Sequence, residues 1–349
     1  MVGKTMLLIC LACFLVSACA PKTRTPTISA EDAQAEALRQ MNMAVTEGVN
    51  LSARLSRVAF PVLSTSVKAC DDDAILYAGF HGKTSAGLND LAKTSWGTLY
   101  GVDEKLTVIS IVPGSPADKA GLKLRDKIIM VNGEKKGLFG TLADRVKTWG
   151  KGDNKNLKLR IQRGVEHLDI TIEGVKACYP GIKIQATDDV NAFADGSKIY
   201  ITKGMLKFVQ DDDELALVIA HEMAHNTMGH ALSKLGNRIL GTILDITVQV
   251  LTGVSTGGAG ANAASMAYSQ EFEAEADYVG SYYAAKAGFD VSGAAGLWRR
   301  MATAHPNAIN LQGSTHPSTA KRFLAIKKAV EEIEQKKASG RELEPEMLE

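Results

Sequence analysis

The chain of 349 residues is long enough for two or three domains, carries a net charge of +1 and is 45% hydrophobic. A chain this close to neutral lacks the basic field of a nucleic-acid-binding protein, so nucleic acid is excluded as an expected partner. The hydrophobic content suits globular domains with well-formed cores. Function is therefore expected from local motifs rather than from a global charge.

The first residues are typical of a targeting signal. Lys4 precedes an apolar stretch, residues 6–16, that is too short to span a bilayer. Small residues then precede Cys19, which resembles the signal of bacterial lipoproteins, in which the cysteine carries lipid and becomes the mature N-terminus. An ordinary secretory signal is the alternative, but the placement of the cysteine favours lipidation. The resemblance implies a signal over 1–18, a tether over 19–28, and a periplasmic protein anchored by lipid to the outer membrane of a Gram-negative bacterium.

Residues 29–69 are predicted to form a helical segment. Ser29, with Asp32 three residues later, is typical of a capped helix start. The polar helix is expected to run toward Arg57 and to end before Pro61, because a proline inside a helix removes a backbone donor. This helix either packs on the domain predicted over 179–335 or holds that domain away from the membrane.

Two cysteines remain beyond the signal, Cys70 and Cys178, and both follow the same three residues, Val-Lys-Ala. Outside the cytoplasm such a pair favours a disulfide, with two buried thiols as the alternative. The bridge would close a loop of about a hundred residues and contribute roughly 4 kcal/mol of stability.

The segment between these cysteines alternates short strands with turns. The pattern predicts strands over 107–112, 127–131, 157–162 and 167–172, and a helix over 141–149. The runs V-P-G-S-P-A-D-K-A-G-L and D-K-I-I-M-V-N-G closely resemble PDZ domains of bacterial proteases. The resemblance covers residues 95–174 and implies an inserted β-rich domain. The two cysteines would link the points where the chain enters and leaves this domain.

PDZ domains bind an extended peptide by adding it to a sheet edge. The resemblance implies a carboxylate-binding loop before the first strand, at Tyr100, Gly101 and Val102. The expected partners are protein or peptide substrates and envelope assembly partners. The alternative is a PDZ-shaped spacer that has no ligand.

A later apolar run carries the motif H-E-x-x-H, formed by His221, Glu222 and His225. Acidic residues at 211–214 precede it and are typical of a helix start, where they cap backbone donors and oppose the helix dipole. Two histidines four residues apart share one helix face and can hold one zinc ion per chain, while Glu222 can reach a water beside that ion. The alternative is an amphipathic helix with two surface histidines.

Two further runs accompany this motif: N-A-F-A, which begins with Asn191, Ala192 and Phe193, and I-Y-I-T-K-G-M-L. Together the three resemble the HtpX and CAAX-prenyl-endopeptidase family of zinc metallopeptidases, which are gluzincins. The resemblance implies an α+β protein with a mainly helical gluzincin domain over 179–335, a small edge sheet and a charged tail over 336–349. It also implies that substrate adds as a strand at the edge that follows Asn191.

The third zinc ligand is expected on a second helix. The family motif, a Glu four residues before an Asp and a Gly a few positions on, maps onto Glu273, Asp277 and Gly280. The resemblance implies that Glu273 binds zinc and that Asp277 accepts a hydrogen bond from a zinc-binding imidazole. Glu275 is the rival ligand, but it lies on a different face from Asp277. His230 would point away from the motif on a continuing helix, so it is interpreted as a structural or surface residue.

A late family motif, T-H-P, contains His316, with Arg322 six residues beyond it. The resemblance implies that His316 faces the metal, as a resting fourth ligand or as an oxyanion donor, and that Arg322 anchors nearby carboxylates. The alternative is that His316 only caps the last helix. Residues 235–266, apolar and then glycine-rich, leave three options open: a mobile lid, a core hairpin or a membrane-docking segment.

These motifs predict a zinc endopeptidase of the bacterial envelope, and the family resemblance implies that it cleaves unfolded or misassembled proteins recruited by its PDZ domain. Zinc would lower the pKa of a bound water toward about 7, and Glu222 would move the water proton to the leaving amine. One alternative is a self-inhibited protease that acts mainly as a substrate-binding chaperone or assembly factor. A weaker one is a pure PDZ adaptor.

Overall fold

The computed structural model describes residues 26–70, 74–135, 141–178, 181–230, 233, 259–304 and 320–347. Its helices are α1 (Ala30–Thr65), α2 (Asp90–Tyr100), α3 (Pro116–Lys119), α4 (Leu142–Gly150), α5 (Lys203–Phe208), α6 (Asp212–Thr227), α7 (Ala259–Lys286), α8 (Ala294–Ala304) and α9 (Ala320–Ala338). Its strands are β1 (Ala74–Tyr77), β2 (Phe80–Lys83), β3 (Leu106–Ile111), β4 (Lys127–Val131), β5 (Asn156–Arg163), β6 (Glu166–Glu173), β7 (Val175–Cys178), β8 (Ile182–Gln185), β9 (Ala192–Ala194) and β10 (Ile199–Thr202). The predicted α+β class is confirmed. Every described helix is too short or too polar to span a bilayer.

The long helix α1 continues through Pro61, so the prediction that it ends before this residue was wrong. Its last turns lie in the same hydrophobic core as α6, through Val58, Ala59, Val62 and Leu63. Burying a Val or Leu side chain contributes about 1.5–3 kcal/mol, so burial of this stretch outweighs the cost of roughly 3 kcal/mol for an internal proline. α1 therefore packs on the domain that carries H-E-x-x-H.

Five antiparallel strands form the β-rich domain, in the order β2-β3-β4-β5-β6. β5 pairs with β6 from Asn156 opposite Glu173 to Arg163 opposite Glu166, and its buried positions alternate with exposed ones, as the sequence pattern predicts. The edge strand β2 precedes residue 95, so the sheet begins earlier in the chain than the predicted domain boundary. This domain has its own hydrophobic core, separate from that of the remaining helices.

A ribbon of two strands connects this domain to the rest of the molecule. β1 runs antiparallel to β7, with Ala74 opposite Cys178. A disulfide joins Cys70 to Cys178 at the end of this ribbon. The chain therefore enters and leaves the β-rich domain at one covalently closed point.

Replacing both cysteines, as Cys70→Ser with Cys178→Ser, is expected to lower the free energy of unfolding. The bridged positions are 108 residues apart, and closing so long a loop removes entropy from the unfolded chain equivalent to about 4 kcal/mol. Urea unfolding followed by tryptophan fluorescence measures the loss. Wild type treated with a reductant should match the variant, and equal midpoints for variant and oxidised wild type would contradict the prediction.

The other elements share one core around α6. β10 lies between β8, to which it runs parallel, and β9, to which it runs antiparallel. α7 packs along α6, and α9 packs along α7. The charged segment predicted as a tail begins inside α9, and the chain beyond it returns to α7, where Glu344 pairs with Lys286.

His81 of β2 lies against α1, with its Nε2 2.8 Å from Oγ of Ser56. Burial lowers the pKa of His81. An unfolded histidine, with a pKa of about 6.5, then binds a proton more readily than the folded one, so stability is lost as pH falls below that value. We expect His81→Gln to lose less stability than wild type between about pH 7.5 and about pH 5.5, measured by urea unfolding. Equal losses would contradict this expectation.

Candidate metal centre and active site

The helix that carries H-E-x-x-H starts as its sequence predicts. Asp211 caps α6 by accepting a hydrogen bond from the amide of Glu214 at 2.9 Å, and acidic residues fill the first turn. The motif residues His221, Glu222 and His225 are all buried. Burial excludes the alternative of an amphipathic helix with surface histidines.

The long helix α1 holds the start of α6 in place. Nε of Arg54 donates to Oδ1 of Asp212 at 3.0 Å, and its Nη1 donates to the carbonyl of Leu206 at 2.9 Å. Arg57, one turn later on α1, also pairs with Asp212. The first turn of the motif helix is thus tied to α1 by two arginines.

Metal-binding atoms of three side chains, two from α6 and one from α7, lie close together. Nε2 of His221 lies 3.1 Å from Nε2 of His225 and 3.4 Å from Oε2 of Glu273. Nε2 of His225 lies 3.3 Å from Oε1 of Glu273. All three residues are buried, and their donor atoms form a group that could hold a metal ion.

The spacing of these donor atoms fits zinc. Tetrahedral zinc binds imidazole nitrogen and carboxylate oxygen at about 2.0–2.2 Å, which places neighbouring donor atoms roughly 3.3 Å apart. The two ring nitrogens are 3.1 Å apart, and the Glu273 carboxylate faces both of them, with Oε2 3.4 Å from His221 and Oε1 3.3 Å from His225. Two imidazoles with one carboxylate also form the ligand set of catalytic zinc sites that keep a position open. Glu275, the rival ligand, lies outside this cluster and contacts His230 instead.

Asp277 lies one helical turn after Glu273 and contacts the far side of the first histidine. Its Oδ1 is 3.0 Å from Nδ1 of His221. When the ring is neutral, a carboxylate at this position keeps the proton on Nδ1 and leaves the lone pair of Nε2 facing the cluster. Burial acts to lower the pKa of His221, but Asp277 and Glu273 outweigh it and raise the pKa to about 9. The pocket therefore favours a positive charge, which a zinc cation would supply.

Arg322 of α9 contacts both carboxylates. Its Nη2 donates to Oδ1 of Asp277 at 2.8 Å, and its Nη1 lies 3.2 Å from Oε2 of Glu273. Burial acts to raise the pKa of Asp277, but Arg322 and His221 lower it overall. Burial likewise acts to lower the pKa of Arg322, whereas Asp277, Glu273 and Glu222 raise it. The general base candidate Glu222 thus shares the electrostatic environment of the ligands.

Trp298 of α8 is a site residue that sequence reasoning missed. The centre of its ring lies 4.9 Å from that of His221 and 5.0 Å from the guanidinium carbon of Arg322. It is buried, contacts the His221 ring at a tilt of 54°, and has the Arg322 guanidinium over its own ring. No motif or spacing links Trp298 to H-E-x-x-H, so the sequence carries no signal for this contact.

At Gly280, α7 lies close to the backbone of α6. A Cβ atom added there would lie 2.9 Å from both Cα and N of His221. Since backbone cannot move aside as a flexible side chain can, Gly280→Ala is expected to lower the free energy of unfolding by about 1–3 kcal/mol. Urea unfolding tests this, with Gly293→Ala as control because a Cβ at Gly293 meets nothing within 4 Å. Equal effects of the two substitutions would contradict the expectation.

The residues predicted at the substrate edge lie on a strand that packs against the motif helix, whereas the strand after them, β10, is the central strand of its sheet. Ala192 and Phe193 belong to β9, an edge strand of the three-stranded sheet, and Asn191 precedes it. Asn226, next to His225 on α6, accepts the amide of Gly196 at 2.8 Å. This bond fixes the β9–β10 turn on the motif helix, so the edge strand and the histidines keep one relative position.

The structure does not place Tyr100, Gly101 and Val102 at an edge of the β-rich sheet. They end α2, where the amide of Gly101 donates to Gly97 and that of Val102 donates to Trp96. Because these amides already donate hydrogen bonds at the end of their own helix, they cannot also bind a peptide carboxylate. Strand β2 forms the sheet edge instead. His316 and Cys19 lie outside the described residues, as does most of segment 235–266.

Comparison with known families identifies two parts of the chain. Residues 153–330, about half of the chain, match the model of peptidase family M48. The chain belongs to peptidase family M48. Residues 107–163 match a PDZ domain. Both matches confirm the resemblances predicted from the motifs.

Curated relatives agree with this assignment. Mitochondrial metalloendopeptidase OMA1 of Schizosaccharomyces pombe is 32% identical over 43% of this chain and 46% of its own length. OMA1 of Arabidopsis thaliana is 31% identical over 40% of this chain and 29% of its own length. The carboxy-terminal processing protease CtpA of Bacillus subtilis is 39% identical over 20% of this chain and 15% of its own length. The chain thus spans less than half the length of these relatives.

A solved structure also matches part of the chain. The PDZ domain of HtrA3 bound to a phage-derived ligand is 19% identical and covers 30% of this chain and 88% of the HtrA3 domain, with a TM-score of 0.23. A score this low supports no argument about the fold, which is described from the strands themselves.

The comparisons contradict the predicted localisation. The relatives from S. pombe, A. thaliana, Saccharomyces cerevisiae and Bos taurus are all mitochondrial by name. The prediction of a periplasmic protein held by lipid at the outer membrane of a Gram-negative bacterium was therefore wrong. It rested on a few residues around Cys19, and so short a pattern carries little information about location.

Proposed function

We propose that the chain is a zinc-dependent endopeptidase that cleaves unfolded or misassembled proteins, with its PDZ domain recruiting them. The observation that carries this proposal is the buried cluster of His221, His225 and Glu273, with Glu222 on the same helix. Membership of a peptidase family and similarity to metalloendopeptidases support it.

His221, His225 and Glu273 would hold the zinc ion. When bound, zinc supplies a Lewis acid that polarises the scissile carbonyl and makes water a stronger acid. Glu222 accepts the proton of the attacking water and delivers it to the leaving amine. Asp277 and Arg322 hold the ligands in orientation through the contacts described above.

Extended peptide would add at one edge strand of each sheet. In the peptidase domain, β9 with Phe193 offers backbone groups to a substrate strand beside the cluster. In the PDZ domain, β2 offers the edge at which a recruited chain adds. Strand addition depends on backbone hydrogen bonds rather than on one particular side-chain sequence, and unfolded substrates of many sequences can supply those bonds.

Cleavage of casein, an unfolded protein, tests this function. The full chain should cleave it, lose activity when a chelator removes the metal, and recover when zinc is restored. Zinc content is measured in the same samples. A zinc-loaded chain that binds casein without cleaving it would contradict the proposal and support the self-inhibited chaperone.

A further inference from the structure

His230 does not lie on the surface, because the helix that precedes it ends early. α6 stops at Thr227, and Gly229 has a φ of +68°. This left-handed conformation is open to glycine at little cost and turns the chain back on itself. His230 is therefore buried beside the motif instead of on the opposite side of a longer helix.

Three side chains, Glu275, His230 and His225, form a continuous series that ends at the metal cluster. Nδ1 of His230 lies 2.8 Å from Nδ1 of His225, and Nε2 of His230 lies 2.7 Å from Oε2 of Glu275. Phe272 stacks on the His230 ring, with centroids 4.6 Å apart and planes at 17°. Phe272 and Glu275 are three residues apart on α7, so one face of that helix fixes both the plane and the outer nitrogen of the His230 ring.

The order of these groups determines where the protons lie. An ionised carboxylate only accepts hydrogen bonds, so Glu275 keeps a proton on Nε2 of His230. In a neutral His230 ring, Nδ1 then accepts, and the proton between the two rings belongs to Nδ1 of His225. The lone pair of Nε2 in His225 is left facing His221 and Glu273, which is the tautomer that binds a metal.

We propose that His230 and Glu275 are positioning residues that fix the zinc-binding tautomer and ring orientation of His225. Asp277 does the same for His221 from the other side, so each zinc-binding imidazole has its own acceptor. The inference rests on the proposed function, since zinc is the ion that His225 would bind.

Zinc affinity of the full chain, measured by competition with a chromogenic chelator, tests this inference. His230→Ala should weaken binding roughly 10- to 100-fold, as loss of a partner to a metal-binding histidine does. His230→Asn should recover most of that loss, because its amide oxygen can accept from Nδ1 of His225. Glu275→Ala should weaken binding by a smaller but measurable factor, because its side chain is 44% exposed and water can replace only part of its effect.

Glu271→Gln is the matched control, an exposed charge on the same helix that should leave affinity unchanged. The visible spectrum of the cobalt-loaded protein should change in His230→Ala, since the bond from His225 to the metal is altered. If His230→Ala folds and keeps the zinc affinity and the cobalt spectrum of wild type, the proposal is overturned. If His230→Ala does not fold, the proposal is overturned by a Glu275→Ala protein that keeps the zinc affinity of wild type. Failure of wild type itself to bind zinc would contradict the proposed function instead.

Discussion

Glu222→Gln is expected to abolish peptide hydrolysis while zinc stays bound. Glu222 shares α6 with the two histidines but does not belong to the donor cluster. The substitution keeps the size of the side chain and removes its ability to accept a proton. Removing a general acid–base group typically lowers kcat by about 10²- to 10⁴-fold.

Three measurements separate this role from a structural one. Cleavage of a quenched fluorescent peptide gives kcat and KM, metal analysis gives zinc per chain, and urea unfolding gives stability. Zinc content and KM should stay near wild type, while kcat falls. Glu271→Gln, the same chemical change at an exposed site, should keep full activity. A Glu222→Gln protein that retains turnover would remove Glu222 from the mechanism.

Arg322→Ala is expected to destabilise the protein more than most single substitutions. Arg322 is buried and contacts Asp277 and Glu273, which are buried too. Its removal leaves two buried carboxylates without their cation, and breaking such a buried pair costs about 3–5 kcal/mol. The stacking on Trp298 is lost as well.

Urea unfolding of the metal-free proteins measures this effect without any contribution from zinc binding. Arg322→Lys is the informative companion, because it keeps the charge but not the fork of donors that spans both carboxylates. The free energy of unfolding of Arg322→Lys should lie between those of wild type and Arg322→Ala. Added zinc should restore part of the stability, since a cation again offsets Glu273. A loss below about 1 kcal/mol would mean that solvent or other groups already neutralise these carboxylates.

Much of the site could be predicted from the sequence because its contacts are local. Two histidines four residues apart share a helix face in any folded context. Glu273 and Asp277 were predicted from the resemblance to a family motif. Strands of the PDZ domain were predictable from alternation and from turn residues such as Asn132-Gly133. These features depend on neighbours in the chain, which the sequence displays directly.

The features that could not be predicted depend on tertiary packing. Helix α1 passes Pro61 because its last turns are buried by other elements, which local propensity does not describe. His230 turns inward because α6 ends at Thr227, and Gly229 is the signal that could have indicated that end. Trp298 reaches His221 from a distant helix, and a sequence pattern contains no record of that contact.

X-ray diffraction of the zinc-loaded protein above and below the zinc absorption edge tests the central claim most directly. The account predicts one anomalous peak within bonding distance of Nε2 of His221, Nε2 of His225 and the carboxylate of Glu273. A peak bound to other residues, or none at this cluster in crystals that contain zinc, would contradict it.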